Sequence, residues 1–307
     1  MRKEHLYETT IIGGGIAGCT AAIYAARKRM DYLFLTEIVG GQFMESGDIF
    51  NYPGFNQIKG FDFAETIRKQ LEFNQVKVKE GILVNKIEKK GKHFLLRTTT
   101  GEFLSKTIII ATGSHPHTLN VPGEEKYRKM GVTYCAICDG PLYKDKEVAV
   151  IGGGNSALEA VDFLINIAKK IYLLNVNPNF NNAHKYLLEK AVKNKKVKII
   201  YNAQTTAVVG DRFVSGIEYK QKGKKQLLSV KGVFVEIGRI PATTFLKGFL
   251  KLDEHEHVQI DEQTNTSVPG IFAVGDCSSV HEYQYIIAAG QGCIALLKAA
   301  KYLARLK

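Results

Sequence analysis

Glu8-Thr9-Thr10-Ile11-Ile12-Gly13-Gly14-Gly15-Ile16-Ala17-Gly18 decides the fold. The run to Ile12 reads as a buried strand, and glycines follow it without a gap. Residues 17–29 then turn helical, with Ala21, Ala22, Ala25 and Ala26 small enough to lie against a sheet. Gly13, Gly15 and Gly18 make Gly-x-Gly-x-x-Gly in a strand–turn–helix setting, with Ile16 and Ala17 inside it. The tight turn lets a pyrophosphate approach the backbone, and the helix start supplies unpaired N–H groups. A second strand at 32–35 ends at Thr36-Glu37. Glu37 stands where a carboxylate can hold ribose hydroxyls, about twenty residues past the glycines.

A similar unit recurs about 140 residues on. The run 147–151 leads into Gly152-Gly153-Gly154-Asn155-Ser156-Ala157 and a helix reaching about residue 168. The expectation is an α/β protein of two Rossmann-like, three-layer ββα domains. Gly152, Gly154, Asn155 and Ser156 form a second, weaker nucleotide site, with Asn155 able to cap its helix. The next strand, 170–174, should end in groups that read an adenosine ribose. It ends in Asn175-Val176-Asn177-Pro178 instead.

Between the two units stands Tyr134-Cys135-Ala136-Ile137-Cys138-Asp139-Gly140-Pro141. Cysteines three apart share one face of a helical turn, so their sulfurs can meet. Gly140-Pro141 should end that turn at once, and Asp139 can pass a proton to or from a thiol. Alone, the motif fits half a zinc site, a redox pair or two core cysteines. Zinc needs two further ligands, and neither a second Cys-x-x-Cys nor a His-x3-His follows. Redox is the favoured reading, and the flanking nucleotide motifs strengthen it.

The long glycine-rich loops around Gly40-Gly41-Gln42 and Asn51-Tyr52-Pro53-Gly54 read as functional. The apolar run 107–111 opens onto Thr112-Gly113, and the tail strand ends at Gly275-Asp276, where an acid can bond a polyol hydroxyl. The last helix, about 288–303, has the pattern of a core helix. Ser114-His115-Pro116-His117 and Gly238-Arg239-Ile240-Pro241 read as crossovers out of the first domain and back into it.

With 307 residues, the chain can bury two cores, and 45% hydrophobic with 23% charged residues is an ordinary globular composition. No run of eighteen apolar residues or signal-peptide core is present, so no membrane segment is expected and cytoplasm is the default location. Five cysteines, three of them scattered, do not make a secreted disulfide framework; Cys19, Cys277 and Cys293 are expected to be buried thiols. Residues 115–240 carry 20 Lys and Arg against 11 Asp and Glu, a net +9 that leaves +3 to the rest. A solvated lysine surface is the plain reading and an acidic protein partner the sharper one. Nucleic acid is not expected, since no aromatics interleave the lysines.

As an ordered set, these pieces resemble the low-molecular-weight thioredoxin reductases over about residues 9–303. The matching pieces are the glycine turn at 13–18, Gly-Gly-Gln at 40–42, Asn-Tyr-Pro-Gly at 51–54 and Ala-Thr-Gly at 111–113. To these add Cys-Ala-Ile-Cys-Asp-Gly at 135–140, Gly-Gly-Gly-Asn-Ser-Ala at 152–157 and Gly-Asp at 275–276. The resemblance implies FAD in the first site, a pyridine nucleotide in the second, and a dithiol that reduces thioredoxin. It also implies a homodimer, and a discontinuous FAD domain of 1–114 and 241–307 with 115–240 inserted. FAD contacts would fall on Gly13, Gly15, Ile16, Ala17, Gly18, Glu37, Gly41, Gln42, Asn51, Thr112, Gly113, Gly275, Asp276 and Gln284. Cys138 would face the flavin, Cys135 would attack thioredoxin's disulfide and Asp139 would protonate the leaving thiolate. The second domain would swing between two poses about hinges near 114–116 and 240–241.

Two departures stand out. NADPH-using members carry a His-Arg-Arg-x-x-x-Arg run where residues 175–181 hold no cation. Losing two or three charge-assisted contacts of roughly 1.5–3 kcal/mol each should abolish NADPH selectivity. No acid stands at 175–177 to favour NADH either. Near the last helix the family's Arg-Gln-Ala reads Tyr283-Gln284-Tyr285, and Tyr285 is bulky enough to fill the space where nicotinamide would stack. Ferredoxin or another carrier is therefore the expected donor, and ferredoxins, being acidic, would suit the basic domain. Competing readings are a flavin-dependent oxidase of small dithiols and a redox-sensing binding protein. The flavoprotein of a peroxide-reducing system is set aside, because that family carries an extra domain before the FAD site.

Overall fold

The computed structural model describes residues 5–46, 48–180 and 183–306. Asn181, in the cation-free run, and the leading Met1–Glu4 lie outside them. Two compact units are present: Met1–His115 with Ile240–Lys307, and Pro116–Arg239. The helices are α1 (Ile16–Arg27), α2 (Gly60–Phe73), α3 (Ala136–Asp139), α4 (Asn155–Leu164), α5 (Lys185–Lys193) and α6 (Tyr285–Arg305).

The discontinuous unit is built on parallel strands in the order Val78–Lys79, Tyr32–Leu35, Leu6–Ile12, Gly101–Ile110 and Ile271–Ala273. Ile12 pairs with both Leu35 and Ile110, and Ile110 with Ala273, so four strand ends stop at one level. The first half of Gly101–Ile110 pairs antiparallel with His93–Thr98, which turns back through residues 99–100. Alternate residues fill opposite faces. Ile11, Phe34, Ile109 and Phe272 pack under α1, α2 and α6, whereas Ile12, Leu35, Ile110 and Ala273 serve the other core. Burial on both faces explains the continuous apolar runs.

By composition and length α6 could span a bilayer. Its small residues, however, are buried against α1: a Cβ on Gly292 would lie 2.1 Å from the Ala17 carbonyl oxygen. It begins three residues before the expected start, with Gln284 as N-cap.

The inserted unit has five parallel strands, in the order Val132–Thr133, Gly232–Val235, Glu147–Ile151, Lys170–Asn175 and Val197–Tyr201. α4 and α5 cover one face, and a three-stranded meander, Gln204–Gly210, Val214–Gln221 and Lys224–Ser229, covers the other. Each unit is Rossmann-like. The connecting strands Ser114–Pro116 and Arg239–Pro241 pair with each other.

Two expectations need correction and one needs extending. Asn155 is the first residue of α4, Gly154 is its N-cap, and no side chain caps it. The turn that carries the cysteines does end at Asp139, ahead of Gly140-Pro141, but the chain then runs straight on as a 3-10 turn over Gly140–Tyr143; proline is tolerated where its missing N–H would be unpaired anyway. Cys293 is half-buried, unlike Cys19 and Cys277.

Candidate active site

In the discontinuous unit, the predicted residues gather at the carboxyl ends of the central strands, where open parallel sheets bind ligands. Gly13 has φ +112°, and a Cβ there would meet the Ala111 carbonyl oxygen at 2.2 Å. A Cβ on Gly18 would lie 1.8 Å from the Gly13 oxygen, so helix and turn touch backbone to backbone. Gly15 differs. A Cβ there would meet nothing within 4 Å, and as N-cap of α1 it leaves the helix start without a side-chain cap. Open space before uncapped N–H groups is an anion cradle, so the residues present fit a dinucleotide pyrophosphate.

Gly41 lies over this turn, where its Cβ would be 3.0 Å from the Gly15 Cα. Gly40 N–H donates to the Gly14 carbonyl at 2.9 Å. Gln42 donates to the Ser114 carbonyl, and Thr112 Oγ1 to the Ala242 carbonyl at 2.8 Å. Asn51 Nδ2 donates to Gln284 Oε1 at 3.1 Å, which brings two predicted residues together from 233 positions apart. Gly275 sits between α1 and α6, with Ala17 and Ala288 each 3.5 Å from its Cβ position, and Asp276 follows it. Glu37 is exposed just past its strand. Gln291, which accepts the Gly275 N–H at 2.7 Å, carries no motif and escaped the sequence reading. Tyr285 packs its ring edge-on to Phe43 at 6.2 Å and bonds Ser46 through its hydroxyl.

In the inserted unit Cys135 and Cys138 form a disulfide. Cys135 is the N-cap of α3, and its sulfur accepts the Cys138 N–H at 3.2 Å. Thr133 anchors the neighbourhood. Its hydroxyl donates to Asp139 and accepts the Cys135 N–H at 3.3 Å. Glu236, at the end of the Gly232–Val235 strand, accepts the N–H of Ala136 at 3.3 Å. Burial, the largest cause, pushes its pKa up to about 8, against the opposing pull of the Ala136 N–H and Arg239. Sequence reading missed it, because only the fold brings residue 236 to the peptide between the cysteines. By contrast, burial drives the Cys19 thiol to about 12 and the Cys277 thiol upward, which leaves both inert.

The second glycine turn fits a nucleotide less well. Gly152 and Gly153 are closely packed, with Cβ positions 2.2 Å from the Glu236 carbonyl oxygen and 2.5 Å from Asn175 Oδ1. Gly154 is open, and Ser156 is exposed behind it. Asn155 Oδ1 accepts the His184 N–H at 2.7 Å and so holds the following loop instead of its own helix. Asn175, fully buried, accepts the Asn177 N–H at 2.9 Å and donates to the Asn179 carbonyl at 2.8 Å. The loop that would read the ribose is thus closed on itself.

The basic excess is partly structural. Lys196 Nζ caps the carbonyls of Ile165 and Ala168 at 2.9 and 3.2 Å, and Lys190 and Lys225 pair with Asp162 and Glu218. Lys193, Lys195, Lys198, Lys220, Lys222 and Lys224 are exposed.

Residues 7–296 match the family described as pyridine nucleotide-disulphide oxidoreductase. The chain belongs to that family. Its members are FAD-binding oxidoreductases acting on disulfides, in keeping with the cradle at Gly15 and the Cys135–Cys138 pair. Thioredoxin reductase from Streptococcus pyogenes MGAS5005 is similar at 36% identity, covering 98% of this chain and 99% of that one, with a TM-score of 0.91. A ferredoxin-flavin thioredoxin reductase from Clostridium acetobutylicum matches at 28% identity over 98% and 100% of the two chains, with a TM-score of 0.54. An alkyl hydroperoxide reductase subunit of Escherichia coli (strain K12) is 40% identical over 314 aligned positions, covering all of this chain. The chain spans 60% of that relative's length. The peroxide-linked relatives, set aside above for their extra domain, are therefore similar over this whole region.

Proposed function

We propose that this chain is a flavin-dependent disulfide reductase, with FAD at the Gly13–Gly18 turn and a Cys135–Cys138 dithiol that reduces thioredoxin or a related disulfide protein. We propose further that its electron donor is not NADPH. The observation that carries the reading is the disulfide set between Thr133-bound Asp139 and the Glu236-bound Ala136 peptide.

In the reduced state, the Cys135 thiolate attacks one sulfur of the acceptor's disulfide. A mixed disulfide forms and a thiolate leaves, to be protonated from Asp139. Cys138 then attacks Cys135, releasing the second thiolate and restoring the Cys135–Cys138 bond. The acceptor gains two electrons and the dithiol loses two. FAD held at the Gly13–Gly18 turn would supply the two-electron reservoir for re-reducing the pair. Ile137 and Leu142 are exposed beside the cysteines and give a partner apolar surface to rest on.

The donor reading rests on the self-closed Asn175 loop and the absence of cations among its described residues. The exposed lysines suit an acidic iron–sulfur carrier. Anaerobic spectroscopy tests this: reduced ferredoxin should bleach the oxidised flavin, and NADPH and NADH should not. Rapid bleaching by micromolar NADPH would overturn it. A peroxiredoxin-type acceptor is the second reading, favoured by the 40% identical hydroperoxide reductase relative. Turnover compared on thioredoxin and on an alkyl hydroperoxide-reducing disulfide protein separates the two.

A further inference from the structure

Asp253, His257 and His281 bring one ligand atom each to within 4.8 Å of one another, in the discontinuous unit and outside the motifs described above. The loop that carries the first two is tight. Asp253 N–H bonds the His257 carbonyl at 2.8 Å, and Asp253 Oδ1 accepts the N–H groups of His255 and His257 at 2.9 Å each. His257 is 1% exposed and lies 4.6 Å, ring to ring, from His281.

One hydroxyl orients both imidazoles. Tyr283 Oη lies 3.1 Å from His257 Nε2 and 3.3 Å from His281 Nδ1. The other two ring nitrogens turn toward Asp253. His281 Nε2 is 3.0 Å from Oδ2, whereas His257 Nδ1 is 3.7 Å from Oδ1, too far for a hydrogen bond. His257 Nδ1 is buried without a partner. A buried ring nitrogen left unpaired is costly, and here it faces a carboxylate and a second imidazole. Holding a ligating imidazole by its outer nitrogen is the outer-shell arrangement of metal sites.

We propose that Asp253, His257 and His281 bind a divalent transition cation of the zinc class. Bonds of about 2.0–2.2 Å place tetrahedral ligands roughly 3.3 Å apart, so the widest present separation, up to 4.8 Å, needs a closure of up to about 1.5 Å, taken up by the exposed His281. Water or His255, whose ring lies 6.1 Å from that of His281, completes the coordination. Two imidazoles discriminate against magnesium and calcium, which prefer all-oxygen shells. The cation would tie loop 253–257 to the segment entering α6, directly ahead of Gln284.

The test uses the FAD-loaded, fully oxidised protein, in which the Cys135–Cys138 thiolates cannot compete. After chelator treatment, Zn2+ is titrated against a chromophoric indicator. One equivalent should bind, magnesium in excess should not displace it, and His281→Ala should weaken binding by about 100-fold or more. His281 is exposed, so this variant keeps the buried part of the cluster; its flavin content and circular dichroism verify the fold. His257→Ala should act in the same direction. Zinc binding unchanged in His281→Ala, or no tight equivalent in the parent protein, overturns the proposal.

Discussion

The N–H of Ala136 donates to Glu236 Oε1 at 3.3 Å, which joins the peptide between the two cysteines to a strand end 100 positions later. The same residue's carbonyl oxygen stands 2.2 Å from where a Cβ on Gly152 would lie. Dithiol turn and second glycine turn therefore share one backing residue.

Glu236 should make stability fall with pH. Its folded pKa, about 8, lies above the ordinary 4.5. Between those values the folded chain keeps a proton that the unfolded chain has released, so the group's contribution is complete below about pH 4.5 and is lost as pH rises to about 8. Arg239 and Glu159 face the carboxyl with opposite signs and set the final position. Denaturant melts from pH 5 to 9 should show Glu236→Gln flattening this decline, by an amount on the order of a few kcal/mol. Equal slopes in the two proteins would remove the claim.

Two glycines in one turn should behave in opposite ways. Gly18→Ala drives a Cβ into the Gly13 carbonyl and should unfold the unit or leave it insoluble. Gly15→Ala has room and should leave the apoprotein's melting temperature within a degree or two, while flavin retained through gel filtration drops at least tenfold. A normal flavin content in Gly15→Ala would move the cofactor elsewhere.

Serine at Cys135 or Cys138 should leave the flavin bound and reduce disulfide turnover by about a thousandfold or more, since no second thiol can complete the exchange. Cys138→Ser should additionally trap a mixed disulfide with the acceptor through Cys135, visible on non-reducing gels. A trap formed equally well by Cys135→Ser would reverse the two roles.

Asn175→Ala removes two hydrogen bonds from a buried site and should cost about 1–3 kcal/mol, read as a shift in the urea midpoint. Because the amide works inward, this variant should not change the rate of flavin reduction by the natural donor. A large kinetic effect would mean that the loop touches the donor.

Fold and site were legible to different depths. The runs ending at Ile12, Ile110 and Ile151 are apolar because both sheet faces are covered, and glycines after such runs announce the turns. Local chemistry carried that far and no further. Asn155 looked like a cap, but the cap position falls on Gly154 and the amide serves His184. Gln291, Glu236 and the histidines around Asp253 have no spacing signature. Their partners lie 16, 100 and up to 28 residues away, and only the packed chain puts them in reach. The lysine count misled in part, since Lys196 is a cap for buried carbonyls.

The pairing of Gly101–Ile110 with Ile271–Ala273, the packing of α1 on α6 and the Ser46–Tyr285 contact all join residues before the insertion to residues after it. Peptide continuity through residues 116–239 is thus redundant for holding that unit's two segments in register. A protease nick in the inserted half should leave a species that still migrates as one particle and keeps its yellow colour.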